Sequence, residues 1–231
     1  MPLTTTRREG LVSQVIEQLR QSVTSGEWPI GQRIPNEAVL VDVLGVGRNT
    51  VREAVRALAH AGILDVRQGD GTYVRATSEV SGALRRLCGA ELRHVLQVRR
   101  GLEVEGARLA AANHTAADLE DLRAKLDRRD ECLRGGRVDE FTRADVDFHL
   151  AVVATSHNPM LIELYRGLIE AIAASVATVS ETPVEIVDHA VLLDHIAAGD
   201  VVRAAHTAGE LIDGILADID GAREGTARQE A

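Results

Sequence analysis

Residues 45–74, GVGRNTVREAVRALAHAGILDVRQGDGTYV, constrain the fold more than any other part of the 231-residue chain. They set a turn, a helix with a polar first turn, a glycine stop and a short hairpin in the order that a winged helix requires. A helix is expected just before them, from an Asn36 N-cap to Leu44, with Val39, Leu40, Val43 and Leu44 as its apolar stripe. Across residues 48–61, Val51, Ala54, Val55 and Leu58 recur at helical spacing and face inward. Arg48, Asn49, Arg52 and Arg56 then fall on the opposite face. Polar residues in the first turns suit a helix that enters the major groove, where Arg bridges guanine O6 and N7 and Asn bridges adenine N6 and N7. Gly62 fits a left-handed helix stop. Residues 63–66 and 72–74 read as strands, joined by a tip at 67–71 whose donors suit a phosphate or the minor groove. A first helix with Leu11, Val15, Leu19 and Val23 at four-residue steps, stopping at Gly26, supplies the third wall of a small core.

The segments SGEWPIGQRIPNEAVL, LGVGRNTVREAVRALAHAGIL and RQGDGTYV resemble the N-terminal domain of GntR-family transcription regulators across residues 8–76. In the FadR-like branch of that family, the resemblance implies base and phosphate contacts at Arg48, Asn49, Thr50 and Arg52 of the helix and at Gln68 and Gly69 of the wing. Two positions depart from the pattern. Gly47 stands where the family usually has a capping Ser or Thr, and Ala38 replaces a commonly charged residue at the start of the second helix.

The length suits two domains. The first is expected at residues 1–76, with its boundary near Ala76-Thr77-Ser78. Nine arginines meet eight acidic residues in the first 78 positions, whereas seventeen basic residues face twenty-seven acidic ones afterwards. The plausible phosphate-facing surface therefore belongs to the N-terminal part. Cys88 and Cys132 lack metal-type spacing, and Met1 to Thr6 do not begin a signal peptide. No apolar run approaches the ~20 residues needed to span a bilayer. A cytoplasmic protein with free thiols, away from any membrane, is expected.

From residue 79 the pattern is helix after helix, so the fold class is mainly α: a winged helix-turn-helix followed by an antiparallel α-helical bundle. Breaks are expected near Ala90, Asn113, Gly135, Ser156, Thr182 and Gly199. Thr115 and Asp118 form a capping-box pattern, Pro159 and Pro183 suit first-turn positions, and Asp200 can cap the last helix. About six or seven helices result. The expected bundle covers residues 79–222, with 223–231 as a frayed tail.

Asp145 and His149 lie four residues apart and project from one helical face, which is metal-ligand spacing. DVDFH at 145–149 with SHNP at 156–159, VRRGLE at 98–103 and HAVLLDHIAAGD at 189–200 resemble the FCD domain that follows the winged helix in the FadR-like branch. In many such domains an Asp and three His hold a divalent metal beside a small carboxylate effector. The resemblance places three of those ligands on Asp145, His149 and His189, and the fourth position falls on Leu211, next to Glu210. His206 lies five residues before Leu211, about 140° around the helix and ~7.5 Å along it, and is no simple substitute. Three arrangements stay open: an open metal site completed by water or effector, a site using Glu210, and a pocket without metal. Zn, Ni, Mn or Fe would suit such an N/O ligand set. Arg99 is a candidate counter-charge for the effector, or a partner of Glu103 four residues on. Asn158 and Ser156, together with His195, are further pocket candidates.

These features lead to a ligand-responsive regulator that is not an enzyme: a repressor, by resemblance, released by a small carboxylic acid. It would read a pseudo-palindromic double-stranded DNA operator as a homodimer, since one recognition helix reads only a few base pairs. The competing expectation is a metal-dependent hydrolase in which Asp145, His149 and His189 activate water. No general base or nucleophile motif lies near them in the sequence.

Overall fold

In the computed structural model, which describes residues 10–87, 92–175 and 188–229, the chain forms two compact units, residues 1–87 and 88–231. In the first, α1 (Leu11–Thr24), α2 (Glu37–Leu44) and α3 (Arg48–His60) precede a two-stranded antiparallel sheet of β1 (Leu64–Arg67) and β2 (Gly71–Val74). Val15, Leu19 and Val23 of α1 pack with Leu40 of α2 and with Val51, Ala54, Val55 and Leu58 of α3. Leu11 is exposed instead of completing the stripe.

The two turns of α2 also differ from expectation. Asn36 caps the helix, its Oδ1 accepting from Ala38 N and Val39 N at 3.0 and 3.1 Å. Leu40 is buried and Leu44 half-buried, whereas Val39 and Val43 are exposed. Positions 40 and 44 share the face turned to the core, while 39 and 43 lie about 100° around the axis, so so short a helix seals only one of the two rows.

After α3 the chain turns at Gly62, whose φ of +83° a side chain would strain. The hairpin pairs Leu64 with Val74 and Arg67 with Gly71. The segment between α1 and α2 joins it through an isolated bridge between Arg33 and Tyr73. Helix α4 (Glu79–Leu87) packs on this unit and carries its boundary past residues 76–78: a Cβ on Gly82 would come within 2.8 Å of the Gly62 backbone. Arg20 reaches Glu79 at 2.8 Å, and Arg85 donates to the Arg75 carbonyl.

The second unit contains α5 (Leu92–Asn113), α6 (Ala116–Arg134), α7 (Val138–Ala154), α8 (Pro159–Ser175), α9 (His189–Ala197) and α10 (Val201–Gln229). Ala107, Ala110 and Ala111 of α5 and Ala204 and Ala208 of α10 bring backbones close around Phe148, Leu122, Leu192 and Ile196. Small residues here let helices approach until larger neighbours fill the remaining space at interior density. The Thr115–Asp118 capping box forms, and Asp200 accepts from Arg203 N at 3.0 Å. Cys132 is buried and not disulfide-bonded. The expected breaks at Ala90 and at Thr182-Pro183, and Cys88, lie outside the described residues. Helix α10 is assigned from Val201 to Gln229 and so includes most of the stretch 223–231 read from the sequence as a tail. No described helix is long and apolar enough to cross a membrane.

Candidate functional site

The first half of the site is the exposed end of α3. Its N-cap, Gly47, offers no side-chain hydrogen bond, and Val51 and Val55 anchor the helix from beneath. Arg48 and Asn49 are exposed, the Arg48 side chain at 69 %, and Thr50 and Arg52 are half-buried. Gln68 and Gly69 sit exposed at the hairpin tip, where Asp70 N donates to the Arg67 carbonyl at 3.1 Å. One further residue, which the sequence did not single out, organises this face. Glu37 at the start of α2 accepts from Arg52 Nε and Nη2 at 3.3 and 3.1 Å, and from Arg48 Nε at 3.4 Å. The hydrogen bond from Arg52 is the main reason its carboxyl titrates below the ordinary range. On the wing, the Arg67 guanidinium lies 4.2 Å from the centre of the Tyr73 ring.

The second half lies inside the helical unit. Asp145 and His149 project from α7 as their spacing requires, and His189 opens α9, with Asp188 as its cap. The two imidazoles face each other, Nε2 to Nε2 at 3.2 Å, and are both buried. Oxygens of Asp145 lie 3.9 Å from His149 Nε2 and 3.7 Å from His189 Nε2. Phe148 meets both rings edge-on at 5.7 Å.

Around this trio runs a second layer of partners. Glu103 of α5 places Oε2 3.0 Å from His149 Nδ1, while its Oε1 accepts from Arg99 Nε at 2.5 Å and from the Tyr165 hydroxyl at 2.6 Å. Arg129 of α6 donates to Asp145 Oδ1 at 2.7 Å. Burial alone would push the Glu103 carboxyl up, but the Arg99 charge and the hydrogen bonds around it hold it far below the usual range. Asp145 is also lowered: burial opposes, and His149, Arg129 and His189 outweigh it. Burial, together with the Glu103 charge, pushes the Tyr165 phenol upward.

Other residues singled out from the sequence lie elsewhere. Leu211 is buried in the apolar core, and Glu210 is 52 % exposed and paired with His206 at 3.3 Å; among the described residues only Asp145, His149 and His189 gather as possible ligands. Asn158 is exposed and caps α8 through Met160 N and Leu161 N, while Ser156 is buried and accepts from Asn158 N. His195 is half-buried in the last turn of α9.

The donor set fits a divalent ion. Imidazole nitrogens bound to one ion at about 2.1 Å come to about 3.0–3.4 Å from each other, for ligand angles between octahedral and tetrahedral, a range that includes the 3.2 Å seen. One ligand atom from each of Asp145, His149 and His189 falls within a 4.8 Å span.

A winged helix that presents arginines, joined in one chain to a helical unit enclosing polar ligand groups, defines a ligand-sensing, DNA-binding transcription regulator. Residues 11–74 match the model of bacterial regulatory proteins of the gntR family, and residues 94–214 match the FCD domain. The chain belongs to the GntR family and carries an FCD domain. It is 29 % identical over 207 residues to the HTH-type transcriptional repressor NanR of Klebsiella aerogenes, covering 85 % of this chain and 78 % of that one. With the HTH-type transcriptional regulator LutR of Bacillus subtilis it shares 32 % over 147 residues, 62 % and 66 % of the two chains. Among solved structures it resembles Streptococcus agalactiae GntR, with a TM-score of 0.52 at 27 % identity over 89 % of this chain and 98 % of the other. E. coli McbR/YncC shares the fold, with a TM-score of 0.53 at 23 % identity over 94 % and 100 %.

Proposed function

We propose that this regulator is a homodimeric repressor of a pseudo-palindromic double-stranded DNA operator, released by a small carboxylic acid bound near a metal in the helical unit. Arg48, Asn49, Thr50 and Arg52 would meet bases and phosphates in the major groove, and Gln68 and Gly69 of the wing would meet the adjoining backbone or minor groove. Asp145, His149 and His189 would hold Zn, Ni, Mn or Fe. Bound there, the ion would supply a fixed positive charge for the carboxylate.

The observation that carries this reading is the pairing of charges in the helical unit. Arg99 pairs with Glu103, and Arg129 with both Asp145 and the more exposed Asp130, leaving two imidazoles beside them. A divalent ion would then leave excess positive charge in a buried site, which an anionic ligand neutralises. Exposure of Met160 and Leu164, one turn apart on α8, supports a self-complementary contact between two copies. Two half-sites on a two-fold axis would give the operator its symmetry.

The test has four parts. Sedimentation analysis is expected to give a dimer. Elemental analysis of purified protein is expected to find about one metal ion per chain, and calorimetric titration with small carboxylic acids to find a binder. Operator affinity should fall when that acid is added, and operator should weaken acid binding by the same factor. A chain that binds its upstream DNA no better than mixed-sequence DNA would overturn the repressor reading.

A further inference from the structure

We propose that Glu103 is a positioning residue for the metal centre, an inference that rests on the metal reading of Asp145, His149 and His189. An imidazole ligates through its bare nitrogen, and which nitrogen is bare depends on what the other one meets. His149 Nδ1 lies 3.0 Å from Glu103 Oε2. An ionised carboxylate only accepts hydrogen bonds, so Nδ1 carries the proton and Nε2 keeps its lone pair. That Nε2 is the atom turned toward His189 and Asp145.

Glu103 suits this task because its two oxygens have separate partners. Oε1 takes both Arg99 and Tyr165, which leaves Oε2 to the imidazole. Its side chain is only 3 % exposed, so water does not compete for either oxygen. Arg99 thereby acts on the metal centre through Glu103, and its charge is spent on that carboxylate rather than on an effector's.

The test strips the full-length protein with a chelator and titrates it with Zn²⁺, Ni²⁺, Mn²⁺ and Fe²⁺, alongside Co²⁺ as a spectroscopic probe. Glu103→Gln should weaken binding about 10- to 100-fold, the loss expected when an outer partner of a metal ligand is removed, and Tyr165→Phe, which acts one contact further out through Glu103, less, about fivefold. The Co²⁺ absorption bands should shift in both variants, and the metal-free melting temperature of each separates a loss of folding from a loss of ligation. A merely structural Glu103 would lower that melting temperature and leave metal affinity and the Co²⁺ spectrum alone. Affinities within about twofold of the parent protein in both variants overturn the inference while the metal reading stands. If Glu103→Gln does not fold, Tyr165→Phe decides. Should the parent protein take up no more of any ion than Asp145→Asn does, the metal reading fails, and this inference with it.

Discussion

Glu37 holds two arginines and Glu103 one, yet the first group faces water and the second is sealed in a helical core. The Glu37 side chain is 33 % exposed and shares Arg48 and Arg52 across the gap between α2 and α3. Glu103 is 3 % exposed and meets Arg99, Tyr165 and His149 at once. An exposed ion pair contributes little to stability and is readily exchanged for another partner. A buried pair has no such alternative: each group must find its partner inside, and loss of one strands the rest. The contrast matches the two tasks. Under the proposed function, arginines that would read DNA must be free to leave Glu37, whereas side chains that would ligate an ion should be fixed before it arrives.

The hardest blow to this contrast is Glu103→Ala. It leaves the Arg99 guanidinium, the Tyr165 hydroxyl and the His149 Nδ1–H without their shared acceptor, so a loss of about 3–5 kcal/mol is expected in urea denaturation. The equivalent change at Glu37 should cost a small fraction of that. Similar losses at the two positions would show that burial does not separate the pairs.

Acid sharpens the same difference. Glu103 and Asp145 titrate below their ordinary values in the folded chain, so the unfolded chain binds protons more readily in acid. Their contribution is fully present above the ordinary carboxylate range and is lost as pH falls through and below about 4. Calorimetry from pH 7 to pH 3 should show a helical-unit transition that holds steady to about pH 5 and then drops. Stability that rises toward acid would contradict the paired, ionised state of these carboxylates.

At the DNA-reading end, Arg52→Ala should leave melting unchanged and lower operator affinity about 10- to 100-fold, the discrimination carried by a good bidentate base contact. Fluorescence anisotropy against operator and mixed-sequence DNA measures both. Equal losses on the two DNAs would assign Arg52 to phosphate rather than to bases.

Much of the N-terminal unit was legible because its elements follow from local spacing. Val51, Ala54, Val55 and Leu58 of α3, Asn36 as a cap and Gly62 as a stop all sit where their periods put them. Val39 and Val43 did not, since residue type alone does not show which row of a two-turn helix meets its neighbour. In the helical unit the Asp145–His149 step and the Arg99–Glu103 pair were readable, and the contacts that join them were not. Glu103 reaches Tyr165 across 62 residues and His149 across a helix–helix contact that only packing creates. One signal was nonetheless present. Arg129 continues the buried stripe of Leu122 and Leu126 on α6, as Glu103 continues that of Ala107 and Ala110 on α5. A charged residue on an apolar stripe must be paired inside, so each position calls for a buried partner of opposite charge.

The smallest effect is expected from Glu37→Gln. The pair is exposed, so melting should move by no more than about a degree or two. The change should show in binding instead. Glu37 places a negative charge beside the arginines that, under the proposed function, would approach phosphate, and it also holds Arg52 through two hydrogen bonds. Neutralising it removes a repulsion that acts on every sequence alike, so mixed-sequence DNA should bind about two- to threefold tighter at low salt. Operator affinity should gain less, because Arg52 arrives less well oriented, and the ratio between the two DNAs should fall. Anisotropy titrations at two salt concentrations measure that ratio. A drop of several degrees in melting would instead make the Glu37 pair as structural as the one around Glu103, and the distinction between an exchangeable and a fixed arginine would be lost.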